Sequence, residues 1–324
     1  MIMKKNNYNG VIIVHKEKGY TSQDVAAIIK KITHSKAGHT GTLDPDATGV
    51  LPICVGRITK FAEYFASADK TYEAEIILGI TTNTGDISGE ILSQTSQSEI
   101  NYEQEVITIA VESFQGEYFQ IPPMYSAIKI GGKKLYELAR RGQTIERPPR
   151  LVNIQKIQVT SFAPEKNAFN IEVTCSKGTY IRSLAEDIGK KLGCGATMGE
   201  LIRTRSGIFS IENALKLDEI KGAFQFCHSA LDAESPNLRG LRVKPIITEI
   251  TMPSCILSVD QVLPFPHAFV RDEGLKLARN GNAIPLELVN GVDESSDKYW
   301  LLEQDFLIGL FRLENGKLRP EVMM

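Results

Sequence analysis

The chain has 324 residues, of which 42% are hydrophobic and 23% are charged. This composition lies in the ordinary range of soluble globular proteins, so folding should bury a sizeable core, and the length predicts about two domains. The net charge of −2 argues against a protein that is basic throughout, as many nucleic-acid-binding proteins are, although a basic and an acidic face can coexist on one molecule.

The cysteines and the first apolar run bear on the compartment. The five cysteines are scattered and include no C-x-x-C pair, which argues against a disulfide framework and a zinc site and is typical of a reducing compartment. The first apolar run, VIIV at 11–14, is too short for a signal peptide or a membrane span. We therefore expect a cytoplasmic protein with no membrane partner.

The N-terminal part of the chain predicts strands, a helix and a loop. GVIIVHKEKG at 10–19 predicts a buried strand closed by a turn. TSQDVAAIIKKI at 21–32 predicts a helix, because its apolar residues share one face and Thr21 and Asp24 fit a capping box. GHTGTLDPDATGVLP at 38–52 shows neither period and predicts a loop. TYEAEIILGI at 71–80 alternates and predicts a strand.

The rest of the chain predicts a pair of strands, a helix, an insertion and a second domain. LVNIQKIQVTSF and FNIEVTCSKG predict paired strands, and TYIRSLAEDIGKKLG predicts a helix that ends at Gly193. Residues 221–250 have no clear period and predict an inserted surface segment. Short apolar runs after residue 267 predict a small all-β unit. The predicted domains are therefore 1–252 and 267–324, with a linker at 253–266.

The loop at 38–52 contains Asp44 and Asp46 and suits several functions. A calcium loop would need a bidentate Glu at its twelfth position, where this chain has Val55. The D-x-D-x-T motif of aspartate-nucleophile phosphatases would need a buried apolar strand before the first Asp, whereas HTGTL stands there. LDPDATG also suits a turn in which Asp, Pro and Gly serve geometry alone. A single carboxylate acting on a sugar carbon is the remaining interpretation.

A longer comparison favours the last interpretation. GHTGTLDPDATGVLPICVGRITK closely resembles the signature of the TruB family of bacterial tRNA pseudouridine-55 synthases. DKTYEAEIILGITTNTGDISGEI resembles the family's K-x-Y strand, and IPPMYSAIKIGGKKLYELARRGQTIERPPR resembles its substrate-clamping segment. CSKGTYIRSLAEDIG and GELIRTRSGIF resemble its later core motifs, and the tail resembles a PUA domain, a small RNA-binding β-barrel. In the family's K-P-x-G-x-T-S turn, Glu17 here replaces the proline.

The resemblance implies a fold and a reaction. The fold would be α/β (α+β), a pseudouridine-synthase fold with a mainly antiparallel mixed sheet, followed by a small C-terminal PUA-like β-barrel. The reaction would convert uridine 55 in the T-loop of tRNA to pseudouridine. The glycosidic bond breaks, the uracil turns and C5 joins C1′. The resemblance implies tRNA as the partner, with no cofactor, no metal and no protein partner.

The resemblance also implies a catalytic set. Asp44 would be the nucleophilic or proton-abstracting carboxylate, and its attack on C1′, its attack on the base and its removal of the 2′ proton all stay open. Arg182 would pair with Asp44, since an adjacent guanidinium stabilises the ionised carboxylate and fixes its rotamer. Tyr72 would stack on the flipped uracil near C5, although strand spacing alone favours a core tyrosine. Asp46 is interpreted as a turn residue.

Further residues are implied in substrate binding. His39 would fill the gap left by the extruded base, because a stacked uridine must leave the stack to react. Tyr180 and Leu201 would line the uracil pocket, and Lys70 and Arg203 in the same motifs are also expected to contact the substrate. Tyr180 and Leu201 would equally suit core positions, and the alternative for His39 is a solvated or turn-bonded side chain.

The segment 129–150 is locally basic. Two glutamates, Glu137 and Glu146, stand against seven basic residues, which are Lys129, Lys133, Lys134, Arg140, Arg141, Arg147 and Arg150. Such a segment suits an RNA backbone, and we expect Lys129 and Lys133 to bind it; a merely solvated basic face is the alternative. The same features would serve a tRNA-binding folding chaperone without essential catalysis, against which the set of Asp44, Tyr72 and Arg182 argues.

Overall fold

The computed structural model describes residues 8–233, 255–293, 296–304 and 306–324. The strands are β1 Gly10–Lys16, β2 Ala37–His39, β3 Thr48–Val55, β4 Lys70–Leu78, β5 Ile80–Thr82, β6 Ile91–Gln94, β7 Gly116–Gln120, β8 Lys129–Ile130, β9 Lys133–Lys134, β10 Arg150–Ala163, β11 Ala168–Cys175, β12 Ala196–Ser206, β13 Phe209–Ser210, β14 His267–Val270, β15 Ile284–Pro285, β16 Val289–Asn290, β17 Lys298–Glu303, β18 Phe306–Glu314 and β19 Lys317–Met323.

The α-helices are α1 Ser22–Thr33, α2 Ala62–Ala66, α3 Gln104–Glu112, α4 Leu135–Ala139, α5 Ile181–Leu192, α6 Leu217–Ala233, α7 Val259–Val262 and α8 Leu275–Arg279. Short 3₁₀ helices lie at Gly56–Phe61, Gln97–Glu99, Pro164–Lys166, Ile211–Asn213, Asp272–Gly274 and Leu286–Leu288. Within the described part of the chain, no helix is long and apolar enough to cross a membrane.

A large mixed sheet organises residues 10–210. Its strand order is β1-β3-β12-β4-β11-β10-β7, with β2 also paired to β3 and β13 to β12. The pairs are antiparallel except β12 with β3, which run parallel where Arg203 lies opposite Gly49. The predicted pair of strands is β10 and β11. The predicted mainly antiparallel mixed sheet is confirmed.

Both faces of this sheet are covered. Ile12 and Val14 of β1 belong to a core beneath α1, α3, α5 and α6, whereas Val11 and Ile13 point to a second core on the other face. Successive side chains of a strand alternate between faces, so a strand buried on both sides is a continuous apolar run, as the sequence predicted for β1.

The second core joins the large sheet to a C-terminal one. The C-terminal sheet has the order β15-β19-β18-β17-β14-β16 and forms a nearly closed barrel, which confirms the predicted small C-terminal β-barrel. Trp300 of β17 is fully buried between the sheets. Its indole nitrogen donates to the carbonyl of Leu263 at 2.9 Å, and its ring meets Phe61 edge-on at 5.4 Å.

The helix ends follow the predicted chemistry. Thr21 caps α1, with its hydroxyl accepting from the Asp24 N–H while Asp24 accepts from the Thr21 N–H. Gly193 ends α5 with a φ of 77°, in the left-handed region that glycine adopts without a Cβ clash. The two predicted helices are therefore confirmed.

Two predictions of irregular structure need correction. The predicted loop at 38–52 is confined to residues 40–47, because β2 reaches His39 and β3 begins at Thr48. The aperiodic segment predicted from residue 221 starts as helix, since α6 runs through Ala233. Phe224 is buried and packs edge-on against Tyr8 at 5.3 Å, so packing against the core decided the conformation there. The remainder of the predicted insertion, 234–250, lies outside the described residues.

Candidate active site

The loop 40–47 is anchored so that Asp44 projects from it. Leu43 is buried beside α1, and the Ser22 hydroxyl accepts from the Leu43 N–H at 2.8 Å and lies 3.1 Å from the Leu43 carbonyl. The next residue, Asp44, keeps 39% of its side chain exposed, while its carbonyl accepts from the Ala47 N–H at 3.1 Å. A buried residue followed by an exposed carboxylate therefore sets the direction of the Asp44 side chain.

Two buried cations, on β1 and β12, support the same loop by hydrogen bonds to its backbone. The Lys16 ammonium donates to the carbonyls of Pro45 at 2.9 Å and Ala47 at 2.6 Å. The Arg203 guanidinium donates to Val50 at 2.8 Å and Gly41 at 3.1 Å, again to carbonyls. Both side chains are 1% exposed or less. Buried charges are costly unless they are hydrogen-bonded, so these contacts tie the loop backbone to β1 and β12.

Arg182 holds the Asp44 carboxylate at two points. Its Nε lies 2.9 Å from Asp44 Oδ2, and its Nη2 donates to Oδ1 at 3.3 Å. The remaining donors go to the carbonyls of Thr84 at 3.1 Å and Tyr125 at 3.0 Å. Arg182 is only 5% exposed, and Asp86 adds a second carboxylate at 3.8 Å. The arginine is therefore fixed by several acceptors, and it fixes the carboxylate in turn.

Tyr72 lies next to Arg203 on neighbouring strands. The two residues are opposite each other in the β4–β12 pair, and Leu201 lies opposite Ala74 in the same pair. Burial raises the pKa of Tyr72, the charge of the nearby Arg203 guanidinium lowers it, and the Asp44 carboxylate raises it. An aromatic ring, a buried leucine and the carboxylate thus face one region.

Tyr180 lies where β11 leads into α5. It is the residue before the first helical residue and precedes Arg182 by two positions. Burial raises the pKa of Tyr180, the nearby charges of Arg182 and Arg150 lower it, and the Asp44 carboxylate raises it. The strand-to-helix junction therefore brings Tyr180 to the region of the Asp44 and Arg182 pair.

His39 ends β2, one residue before the loop. Burial lowers the pKa of its imidazole, and the Arg203 charge lowers it further. Its Nδ1 is buried and has no hydrogen-bond partner within the described parts of the chain. A neutral, half-buried imidazole with an unused nitrogen thus flanks the loop that carries Asp44.

Lys70 and Arg203, which are expected to contact the substrate, are buried and hydrogen-bonded to the backbone. The Lys70 ammonium donates to the carbonyl of Ala66 at 2.6 Å, at the end of α2, and to that of Ala68. Burial lowers the pKa of Lys70 to about 8. Both cations satisfy carbonyls of the fold, which suits a role in positioning the site, and their expected contact with the substrate stays a prediction.

Lys129 and Lys133 are exposed on a separate hairpin. They lie on β8 and β9, joined through Gly131 and Gly132, whose φ values of 58° and 81° suit a two-residue hairpin turn. A small core of Met124, Leu135 and Leu138 supports this hairpin and α4. Among the described residues, none of the seven basic residues of 129–150 forms an ion pair with a carboxylate.

Lys16 supports the Asp44 loop, and the sequence interpretation missed it. The signal was present, since Lys16 opens the turn KEKGYTS. Its burial was not visible, because the side chain reaches carbonyls 29 and 31 residues away. No group of three or more His, Cys, Asp and Glu residues is arranged to hold a metal ion in the described ranges.

Comparison with known proteins gives consistent matches. The model of the "TruB family pseudouridylate synthase (N terminal domain)" matches residues 29–181, and that of the "tRNA pseudouridylate synthase B C-terminal domain" matches 182–263. A Bacillus pumilus protein named tRNA pseudouridine synthase B is 52% identical over 218 residues, covering 66% of this chain and 70% of that protein. A Staphylococcus epidermidis protein of the same name is 45% identical over 241 residues, covering 72% and 79%.

A solved structure shares the fold. The crystal structure of a Cbf5-Nop10-Gar1 complex contains a chain that is 26% identical, with a TM-score of 0.64, over 97% of this chain and 84% of that one. The family models together span residues 29–263, which include the Asp44 loop, Tyr72 and Arg182. The chain belongs to the TruB family of pseudouridylate synthases, which are isomerases.

Proposed function

We propose that this protein converts uridine 55 in the T-loop of tRNA to pseudouridine. The observation that carries the proposal is the two-point contact between buried Arg182 and partly exposed Asp44. The relatives from Bacillus pumilus and Staphylococcus epidermidis are named tRNA pseudouridine synthase B, which supports tRNA as the substrate. A soluble tRNA substrate and widely spaced cysteines support a cytoplasmic location.

The overall reaction moves one bond and one proton. The N1–C1′ bond of the nucleotide breaks and a C5–C1′ bond forms, while the proton lost from C5 is balanced by one gained at N1. A carboxylate suits the first step because it acts well at sugar carbons. Asp44 supplies that carboxylate in our account, and Arg182 holds it in one orientation so that little reorganisation is needed during the reaction.

The neighbouring side chains suit a flipped pyrimidine. Tyr72 and Tyr180 offer ring faces on which a base can stack, worth about 1–3 kcal/mol per base, and Leu201 adds apolar surface. His39, beside the loop, occupies the space that the uracil vacates in the RNA. A base that reacts at C1′ and C5 must leave the stack, so these contacts offset the cost of extruding it.

The basic segment holds the RNA backbone. Lys129 and Lys133 are exposed on the β8–β9 hairpin, and the Tyr125 carbonyl just before this segment accepts from Arg182. Phosphate contacts position a nucleic acid, while shape supplies specificity in structured RNA. The segment therefore places positive charge next to the site where the uridine reacts.

The test is conversion of an unmodified tRNA transcript without added metal, with the pseudouridine mapped by position. We expect one pseudouridine at position 55, and none in a transcript that carries cytidine there. RNA binding is measured in parallel. Tight binding without conversion would reject the isomerase proposal and would favour a tRNA-binding folding chaperone, and conversion at another uridine would reject the assignment of position 55.

A further inference from the structure

We propose that Gln120 is a positioning residue for the active site, acting through the backbone of Tyr180; the inference rests on the proposed function. Gln120 ends β7 and is 1% exposed. Its Oε1 accepts from the Tyr180 N–H at 2.8 Å, and its Nε2 donates to the Tyr180 carbonyl at 3.1 Å. One side-chain amide therefore holds both backbone groups of one residue.

Tyr180, whose backbone Gln120 holds, lies at the start of α5. Tyr180 is the N-terminal flanking residue of α5 and has no side-chain cap, and its carbonyl also accepts the first helical bond, from the Leu184 N–H at 3.1 Å. Helix starts leave backbone groups without intrahelical partners. Gln120, at the end of β7, supplies a hydrogen-bond partner for Tyr180. It thereby fixes the start of α5 at a residue that lies two positions before Arg182.

The neighbouring contacts extend the same attachment. The Ser183 hydroxyl donates to the Ile121 carbonyl at 2.8 Å, and Arg182 donates to the Tyr125 carbonyl at 3.0 Å. Each residue from 180 to 183 except Ile181 thus contacts the segment 120–125. Of these contacts, only the one from Gln120 uses a side-chain amide, which both donates and accepts.

An isosteric change separates the two bonds. In Gln120→Glu, the ionised carboxylate still accepts from the Tyr180 N–H but cannot donate to the Tyr180 carbonyl, and it faces that oxygen with a negative charge. When protonated, the introduced group donates again and restores both bonds to Tyr180, although it lacks the second N–H that the amide offers to the Tyr118 hydroxyl. Burial disfavours the charged form of a carboxyl group, so protonation will occur above the ordinary range for glutamate.

Other titratable and charged groups surround this position. Two tyrosines, Tyr118 and Tyr180, lie next to Gln120. The groups whose charges act on these tyrosines are Cys175, Asp187, Arg150, Arg182 and Asp44. All of them are present in the wild type as well. The ratio of variant to wild-type activity at each pH therefore isolates the introduced carboxyl group.

The experiment measures single-turnover conversion of saturating tRNA transcript, from about pH 5.5 to 8.5. For Gln120→Glu we expect a rate at least about tenfold below wild type at high pH, as one lost hydrogen bond permits. The deficit should shrink at least about fivefold on acidification, with the Kd for tRNA unchanged. The matched control is Gln115→Glu, the same change at an exposed position before β7, which should follow the wild type.

Gln120→Met covers the case in which the glutamate variant does not fold at high pH. Its side chain has a similar length but forms neither bond, so it should lose rate equally at all pH values while it keeps its affinity for tRNA. A wild-type pH profile in Gln120→Glu, a deficit that acid does not relieve in the folded protein, or a loss in tRNA affinity alone would overturn the proposal. Failure of the wild type to convert the transcript would instead reject the proposed function.

Discussion

Arg182 combines burial with a full set of acceptors, and this makes the contact with Asp44 rigid. The guanidinium reaches the carboxylate with two nitrogens while the carbonyls of Thr84 and Tyr125 hold its other donors. A planar fork cannot be replaced by an ammonium without loss of one or more of these bonds. Catalysis should therefore depend on the shape of this side chain as well as its charge.

Arg182→Lys should lower kcat at least about tenfold, because a hydrogen bond to a charged group contributes roughly 1.5–3 kcal/mol. The Kd for tRNA should change less than about threefold, as the arginine is buried rather than exposed to RNA. The measurement is single-turnover conversion alongside filter binding. Arg205→Lys on the same strand as Arg203 is the control, and a wild-type rate in Arg182→Lys would contradict the assigned contact.

The buried ammonium of Lys16 makes the stability of the protein depend on pH. Burial lowers the pKa of the Lys16 ammonium to about 8. The carboxylates of Asp46 and Asp44 raise this pKa, but their effect is smaller than that of burial. The ordinary lysine value is about 10.4, so between these two values the unfolded chain binds more protons than the folded one, and stability rises with pH. The free energy of unfolding of the wild type should rise by about 2 kcal/mol from this group between about pH 7.5 and 9.5.

The variant Lys16→Met lacks this contribution, so the difference between wild type and variant, measured by urea unfolding, should grow over that window. The variant should also convert tRNA more slowly, since the carbonyls of Pro45 and Ala47 lose their donor. A difference that stays constant or shrinks as the pH rises would show that the folded-state pKa of Lys16 is not depressed.

The sequence predicted some of these residue contacts and not others. Asp44 and Arg182 were expected as a pair and lie in contact. Lys70 and Arg203 were expected at the substrate and lie buried against carbonyls. A motif gives the identity of a cation but not the direction of its side chain, which depends on where carbonyls from distant segments end. For the same reason, the sequence did not predict that Lys16 is buried against loop carbonyls.

At the scale of elements, the parallel strands β3 and β12 approach each other closely. The contact lies at the start of β3, directly after the Asp44 loop. Gly49 has a φ of 105°, and a Cβ there would lie 2.2 Å from the Arg203 carbonyl oxygen. Both the backbone conformation and the space therefore require glycine. The contact sets the distance between the strand that follows the loop and the strand that carries Arg203.

Gly49→Ala should reduce the free energy of unfolding by at least about 2 kcal/mol, because strain and a backbone clash add together. The control is Gly178→Ala, where φ is 82° but a Cβ would meet no atom within 4 Å; it should lose only about 1–2 kcal/mol from conformation. Chemical denaturation measures both. Equal losses would show that the approach of β12 is not tight.

Periodicity predicted the elements that bury a regular face. The strands of 10–16 and 70–78 and the helices α1 and α5 were found where alternation, apolar faces and caps placed them. α6 was missed, because GAFQFCHSALDA mixes small, polar and aromatic residues, and packing of Leu217, Ile220 and Phe224 into the core fixes its first turns. Local pattern is weak where tertiary contacts decide.

At the scale of the whole molecule, a net charge of −2 coexists with one strongly basic segment. Six of the seven basic residues of 129–150 precede β10 of the main sheet, in a segment with its own small core of Met124, Leu135 and Leu138. The seventh, Arg150, begins β10. A local positive charge suitable for an RNA backbone can therefore exist in a chain whose average charge does not reveal it. The extent of the two predicted domains and the RNA-binding role of the barrel stay predictions.

The double variant of Lys129→Gln and Lys133→Gln should weaken tRNA binding and flatten its salt dependence. Each lost phosphate contact should reduce the slope of log K against log salt by about 1, while kcat at saturating tRNA stays the same. Lys156→Gln is the control, since Lys156 is paired with Glu172 at 3.2 Å. An unchanged slope in the double variant would place the RNA elsewhere.

The most direct test of the account compares the two aspartates of the loop. Asp44→Ala and Asp46→Ala are each incubated with unmodified tRNA, and pseudouridine at position 55 and tRNA affinity are both measured. The account predicts that Asp44→Ala binds tRNA and forms no pseudouridine, whereas Asp46→Ala retains conversion. Conversion by Asp44→Ala at a rate near that of the wild type would contradict the account, because the carboxylate held by Arg182 would then not be the centre of the reaction.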